Sequence, residues 1–299
     1  MILKKQDLHE HEVSLNISVL ILTFNEEINI LRCLSSVAWS DDILVFDSGS
    51  TDRTAMLAQS KGANVLTRKF DNYGSQRQAA LQQYHFKHTW LLILDADECV
   101  DETLAEEMQA ISTEVTCPFS GFRIRRKDYF LDRWIPRATL YPTYFLRFFK
   151  HAQARYESRL VHEHPMVDGA VGNLKGHILH FPFNKGLGSW IEKHRNYAQL
   201  EAQEGFKISK QRIDWKNLLN PDPFQRRRFL KSLSYRVPIR RTARLFYMFL
   251  IRLTFLDGWP GIKYTLMISQ YEGWIQEEFK RLQKHSSSLN QATSNFMKK

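Results

Sequence analysis

Residues 91–102 read LLILDADECVDE, four apolar positions running straight into acids. Carboxylates at the end of a buried segment repel one another and resist leaving water. The pattern therefore calls either for a solvated acidic turn or for a cation between the acids. Asp95 and Asp97, one residue apart on a turn leaving a strand, can both reach one ion. An oxygen-rich site of this kind suits Mg2+ or Mn2+, hard cations that keep waters and share a substrate's phosphates. Asp101 and Glu102 fit the plainer role of opening a helix, and Glu98 reads as solvated or helix-capping. DSGSTD at 47–52 follows ILVF in the same manner. There Asp47 can accept from a nucleobase N–H, Gly49 lets backbone approach a ligand closely, and Asp52 reads as a helix cap.

The elements that must hold these acids alternate along the first third of the chain. SVLILTF (18–24), DILVF (42–46), ANVLT (63–67) and WLLIL (90–94) are short apolar runs typical of strands covered on both faces. After Asn25, Ile28, Leu31 and Leu34 recur at helical spacing. A second helix follows Ser50-Thr51-Asp52 and ends near Gly62, and a third covers Gln76 to Tyr84. Strand and helix in alternation predict right-handed crossovers and a Rossmann-like, mostly parallel α/β sheet, with ligands at the carboxyl ends of its strands. Thr23-Phe24-Asn25-Glu26, Asp47-Ser48-Gly49-Ser50 and Asp95-Ala96-Asp97 all stand at that edge. Their convergence from three strands weighs more than any one motif.

Farther on, 121–131 and 144–150 read as longer mixed strands, and 155–183 as short strands with turns at Asp168-Gly169 and Lys175-Gly176. From Ser189 the pattern is helical, with breaks near Pro221, Pro223, Pro238 and Pro260. The expected organisation is a tail over 1–15, an α/β domain over 16–185, a basic amphipathic helical extension over 186–284 and a flexible tail over 285–299.

The formal charge of +10 on 299 residues is concentrated. Between Gly205 and Leu256 stand 13 Lys or Arg against only Asp214 and Asp222, which implies an anionic partner surface. In RRFLKSLSYRVPIRRTARLFYMFLIRLTF (227–255), a helical projection puts Arg241, Arg244 and Arg252 on one side and Leu245, Phe249, Leu253 and Leu256 on the adjacent one. That suits a helix lying in a membrane interface, with no nucleic acid as partner; the bland alternative is a core-packed helix with a solvated basic stripe. No apolar run reaches the roughly 18–20 residues of a bilayer span. MILKKQDLHEHEV is no signal peptide, and Cys33, Cys99 and Cys117 are scattered as reduced thiols are. A cytoplasmic protein, peripheral on the inner face of the cytoplasmic membrane, is expected.

TFNEE (23–27), DSGSTD (47–52) and DAD (95–97), each after an apolar strand and in that order, resemble family 2 glycosyltransferases. The resemblance extends over about residues 16–280. YGSQRQAAL (73–81), FLDRWIP to YFLRFFK, LVHEH (160–164), HILHFPF (177–183) and FLDGWPG (255–261) are similar to the branch containing lipopolysaccharide-core β-1,4-glucosyltransferases.

The resemblance implies a GT-A fold and inverting transfer of a sugar, glucose in that branch, from a UDP-sugar. The acceptor it implies is a saccharide or lipid-linked saccharide. Thr23, Asn25 and Glu26 would line the nucleotide pocket, with Asp47 on the uracil and Arg77 near the diphosphate. Asp95 would contact the ribose or the metal, Asp97 would hold the divalent cation, and His180 would be a third ligand or a satisfied strand residue. Glu163 occupies the family's general-base position, although many relatives carry an Asp in a different local motif there. The rival readings are a nucleotidyltransferase on a similar sheet and a non-catalytic, membrane-associated nucleotide-sugar-binding protein.

Overall fold

The computed structural model describes residues 16–114, 116–156, 165–210, 214–221, 223–235 and 239–296. The chain forms two compact units. The first runs to Lys127 and resumes over Pro142–Phe181; the second takes Asp128–Tyr141 and everything from Pro182 onward.

In the first unit, β1 (Ile17–Thr23), α1 (Ile30–Ser36), β2 (Ile43–Asp47), α2 (Thr54–Ser60), β3 (Asn64–Thr67), α3 (Tyr73–Gln83) and β4 (Trp90–Asp95) alternate as the apolar runs predict. β5 (Glu98–Val100) and α4 (Glu102–Thr113) follow, then β6 (Phe119–Phe130), whose last residues and the short β7 (Arg133–Trp134) belong to the second unit, and in the first unit again β8 (Tyr144–Lys150), the β9–β10 pair (Ala154–Tyr156 and Pro165–Val167) and β11 (Ala170–His180). The main sheet has the order β3-β2-β1-β4-β8-β6-β11-β5, with β7 attached to β6. The β3-β2-β1-β4 half is parallel. The pairings of β4 with β8, β8 with β6, and β11 with β5 are antiparallel. β1 and β4 are buried almost throughout because both faces are covered. Val19, Ile21, Leu92 and Leu94 face a core shared with α1 and α4, while Leu20, Leu91 and Ile93 face Phe46 and Ala80 of α3. Successive residues of one strand thus serve opposite cores.

Asp101 opens α4 as expected: its carboxylate accepts from Leu104 N at 2.9 Å. Gly176 of β11 is required by closeness rather than by a turn, since a Cβ there would lie 2.4 Å from Leu104 backbone.

The second unit is helical: α5 (Gly186–Ser209), α6 (Pro223–Ser234), α7 (Arg240–Phe246) and α8 (Gly258–Phe296). Ala198, Ala202, Tyr235, Ile275 and Phe279 form one of its cores; Phe130, Ile135, Ala138 and Met248 form another. Three features depart from the sequence reading. Pro260 does not break a helix but lies in the first turn of α8, where the missing N–H costs nothing. The stretch from His285, expected to be a flexible tail, continues α8 as far as Phe296. The single helix projected through Arg241–Leu256 does not form. Tyr247–Ile251 widen into a π-turn, Arg252 N bonds Tyr247 O at 3.0 Å, and Leu253 is left-handed with φ 54°. The Arg252 guanidinium holds this ending by donating to the Arg137 and Tyr141 carbonyls.

Candidate active site

Strand register brings the three polar clusters together. Thr23 pairs with Asp47 across β1 and β2, and Leu22 with Asp95 across β1 and β4. Beyond the strand ends the ladder continues, with Ser48 N donating to Thr23 O at 2.9 Å and Ala96 N to Leu22 O at 3.0 Å. Thr23 Oγ1 is buried and has no hydrogen-bond partner among the described residues.

The loops after β1 and β2 are interlocked. Asn25 N donates to Ser50 Oγ (2.8 Å), Glu26 N to Thr54 Oγ1 (2.8 Å) and Glu27 N to Asp52 Oδ2 (3.1 Å). In return, Thr51 N donates to Asn25 Oδ1 at 2.8 Å. Asn25 adopts φ 52°, a left-handed conformation that Asn tolerates better than most residues, and its amide oxygen is held across the loops by Thr51 N. Asp52 lies one residue before the N-cap, Arg53, and accepts from the first α2 amide, Thr54 N, at 3.0 Å. Asp47 is 2% exposed and organises its own loop, accepting from Gly49 N, Ser50 N and Ser50 Oγ. Gly49 has φ 91° and open space where a Cβ would stand. Gln76, also buried, fastens α3 to this loop by donating to Ser48 Oγ at 3.0 Å.

The 95–98 turn has more support than its sequence suggests. Arg77 Nη2 donates to Asp95 Oδ1 at 3.2 Å, and Arg147 Nη2 to Asp95 Oδ2 at 2.9 Å. Glu98 is fully buried, which corrects the expectation of a solvated or helix-capping acid. One of its oxygens accepts from Asp95 N at 2.9 Å; the other lies 3.4 Å from Arg147 Nη2 and 3.5 Å from Arg126 Nη1. Asp95 backbone, Glu98, Arg147 and Asp95 carboxylate therefore close a ring around the turn. Burial opposes the Arg147 charge, but Asp95 and Glu98 outweigh it and push its pKa above the ordinary arginine value. Burial, followed by the charges of neighbouring acids and Cys99, pushes the Cys33 thiol up, as befits an inert core cysteine.

Asp97 is placed differently. Its backbone carbonyl accepts from Phe181 N at 2.9 Å, and its Oδ2 lies 3.4 Å from His180 Nε2. His180 is the register partner of Glu98, so β5 and β11 deliver this carboxylate and imidazole to one point. A carboxylate and a neutral imidazole fit Mn2+, and less readily Mg2+. No third His, Cys, Asp or Glu joins them into a cluster among the described residues. The structure thus separates the two acids of DAD: Asp95 faces guanidiniums, while Asp97 faces an imidazole.

Of the residues singled out in the sequence, Thr23, Asn25, Glu26, Asp47, Arg77, Asp95, Asp97 and His180 come to this edge or to the strands and helix that carry it. Glu163 falls within 157–164, outside the described residues; the flanking Tyr156 and Pro165 are register partners. Arg147, Glu98 and Gln76 were missed. The signal for Arg147 was present: a lone arginine amid the aromatics of YFLRFFK, on a strand flanking the central one, demands buried acids.

Residues 18–166 match the glycosyl transferase family 2 profile. The lipopolysaccharide core biosynthesis glycosyltransferase LpsC of Rhizobium meliloti (strain 1021) is 30% identical over 233 residues, which is 74% of this chain and 83% of LpsC. The chain belongs to glycosyl transferase family 2. It is a glycosyltransferase, and its parallel half-sheet with an antiparallel extension is the GT-A architecture expected from its motifs. An uncharacterized glycosyltransferase of Rickettsia bellii is 38% identical over 96 residues, covering 32% of each chain. Among solved structures, S. aureus TarS 1–349 in complex with UDP-GlcNAc aligns with a TM-score of 0.43 at 14% identity, over 90% of this chain and 92% of TarS.

Proposed function

We propose that this glycosyltransferase moves glucose from UDP-glucose to a saccharide or lipid-linked saccharide acceptor in lipopolysaccharide or related surface-polysaccharide assembly, with inversion and with dependence on Mn2+ or Mg2+. The observation that carries the reading is the meeting, at one sheet edge of a family 2 chain, of the interlocked 23–27 and 47–52 loops with the clamped DAD turn. Similarity to LpsC supports the pathway class.

In this reading Thr23, Asn25 and Glu26 line the nucleotide pocket, and the Thr23 hydroxyl, without a partner among the described residues, is one group a ligand can satisfy. Asp47 receives the uracil N–H on the lone pairs that its loop contacts leave over. Asp95, held between two guanidiniums, accepts from a ribose hydroxyl, and Arg77 directs its charge toward the diphosphate. Asp97 and His180 would hold the divalent cation. When bound, that ion supplies stabilisation of the charge developing on the leaving UDP. Glu163 takes the proton of the acceptor hydroxyl as the new bond forms. The enzyme works in the cytoplasm at the inner face of the cytoplasmic membrane. No helix among the described residues is long and apolar enough to cross a membrane.

Incubation with UDP-glucose, Mn2+ and a core-oligosaccharide acceptor, with UDP and pyrophosphate measured separately, tests the reading. UDP release that is lost in Asp97→Ala is expected. Pyrophosphate release would make the protein a nucleotidyltransferase, and equal inactivity of wild type and variant on every nucleotide sugar would make it a binding protein.

A further inference from the structure

The second unit carries an apolar surface that the fold does not cover. Within Phe246–Trp259, eight large apolar side chains are between 36% and 69% exposed. They arise because the helix ends early. Met248 turns into the core, so the outward face is Ala243, Phe246, Tyr247 and Leu250, at the spacing of one helical stripe. The π-turn, left-handed Leu253 and the following short turn then bring Ile251, Phe255 and Leu256 outward as well, up to Trp259 on the first turn of α8. Thr254 and Asp257 are the buried residues between them and anchor the turn from beneath. Asp257 accepts from Arg137 N and Ala138 N, both at 2.9 Å, and Thr254 Oγ1 from Thr265 Oγ1 at 2.9 Å. The apolar tip is thus a held conformation, and monomeric soluble proteins rarely leave such a patch bare.

The charge around the patch identifies its partner. From Pro223 to Gln270 the sequence has ten Lys or Arg, and its single acid is Asp257, which is 5% exposed and already bonded. Arg244, over the Tyr247 ring, and Lys263 are partly exposed, while Arg241 is exposed on the side of α7 away from the stripe, against Gly273 of α8. A surface with exposed Phe, Leu, Ile and Trp, a cationic surplus and, between Pro223 and Gln270, no exposed carboxylate complements lipid tails under anionic headgroups. An apolar protein partner would leave that one-signed surplus unanswered.

We propose that Phe246, Leu250, Ile251, Phe255, Leu256 and Trp259 form a wedge that enters the interfacial region of an anionic bilayer, with the flanking arginines on the headgroup phosphates. This deepens the peripheral placement above and rests on that reading only for its use, which is to hold the enzyme where a lipid-linked acceptor lies. The wedge overlaps the face expected in the sequence only in part. Leu253 and Leu256, projected as lipid-facing, are exposed, whereas Leu245 and Phe249 are only partly so, and the stripe one residue ahead of them faces outward.

Flotation of the full chain with phosphatidylcholine vesicles, with and without phosphatidylglycerol, tests the wedge. Wild type is expected to float with the anionic vesicles at low salt and to lose most of that binding as salt rises or with phosphatidylcholine alone. Leu250→Glu/Ile251→Glu is expected to weaken vesicle binding about tenfold or more, with the melting temperature and UDP release on a soluble acceptor unchanged. Arg244→Glu should lose the anionic preference. Wild type that stays unbound at low salt, or a double variant that floats as wild type does, overturns the wedge. Concentration-dependent dimerisation that the double variant abolishes, with vesicle binding absent, would give the surface to a second copy instead. UDP release in the vesicle-free arm is read separately, so failure of the wedge and failure of the transferase reading leave different results.

Discussion

Replacing Arg147 by methionine tests the ring that closes the DAD turn. The guanidinium is 9% exposed and serves Asp95 at 2.9 Å and Glu98 at 3.4 Å. Removing it leaves Glu98, fully buried, with Arg126 at 3.5 Å, while Asp95 keeps Arg77 at 3.2 Å. Stripping one partner from a buried pair costs about 3–5 kcal/mol. Asp95 is one-third exposed and solvent screens its share, so the Glu98 half dominates and the lower end, about 3 kcal/mol, applies. For a unit of this size that is a drop of about 6–12 °C in melting temperature. Arg147→Met/Glu98→Gln should recover at least half of the loss, because it leaves no uncompensated charge at position 98 and the amide oxygen still accepts from Asp95 N. Thermal unfolding by circular dichroism reads both variants, and calorimetric titration of UDP with Mn2+ reads the effect on the turn carrying Asp97. A single variant as stable as wild type, or a double variant no better than the single, refutes the ring.

Removal of divalent cations with EDTA should abolish UDP binding. Asp97→Asn and His180→Gln should each weaken Mn2+-dependent UDP affinity about tenfold or more; affinity unchanged without metal, by the same titration, contradicts the assignment. Glu163→Gln should retain UDP-sugar binding and lose transfer, which single-turnover measurements separate. The acid side of the stability profile should depend on His194. Burial against Trp190 holds its pKa down to about 4, so the unfolded chain binds more protons between about pH 4 and the free-histidine value. Stability therefore rises with pH across that window, and lowering the pH through it costs on the order of 3 kcal/mol. His194→Phe should flatten this limb in melting curves taken from pH 4 to 7.

Much of the catalytic unit could be read from local pattern. The four parallel strands and their helices follow from short apolar runs punctuated by Asn25, Asp52 and Gly62, because a strand covered on both faces has little choice of composition. The antiparallel half is less visible: β8 and β6 pair across a long excursion, Asp128–Tyr141, that joins the helical unit. In the site, the three motif loops were legible because their polar residues interrupt apolar runs. Glu98 was misread because nothing local distinguishes a solvated acid from one whose counter-charges arrive from Arg126 and Arg147 on other strands. The basic segment was misread for a related reason. Helical projection assumes an unbroken helix, and the bonds from Arg252 to the carbonyls of Arg137 and Tyr141 that end it lie more than 100 residues away in sequence.

The cross-bonding of the 23–27 and 47–54 segments has a consequence for engineering donor choice. Backbone amides of one loop are satisfied by side chains of the other, so each depends on its neighbour for part of its hydrogen bonding. Grafting one of them from a homologue with another nucleotide preference would strand polar groups in its neighbour. The two loops behave as a single cassette, and under the nucleotide-pocket role proposed for them a change of donor specificity would move them together.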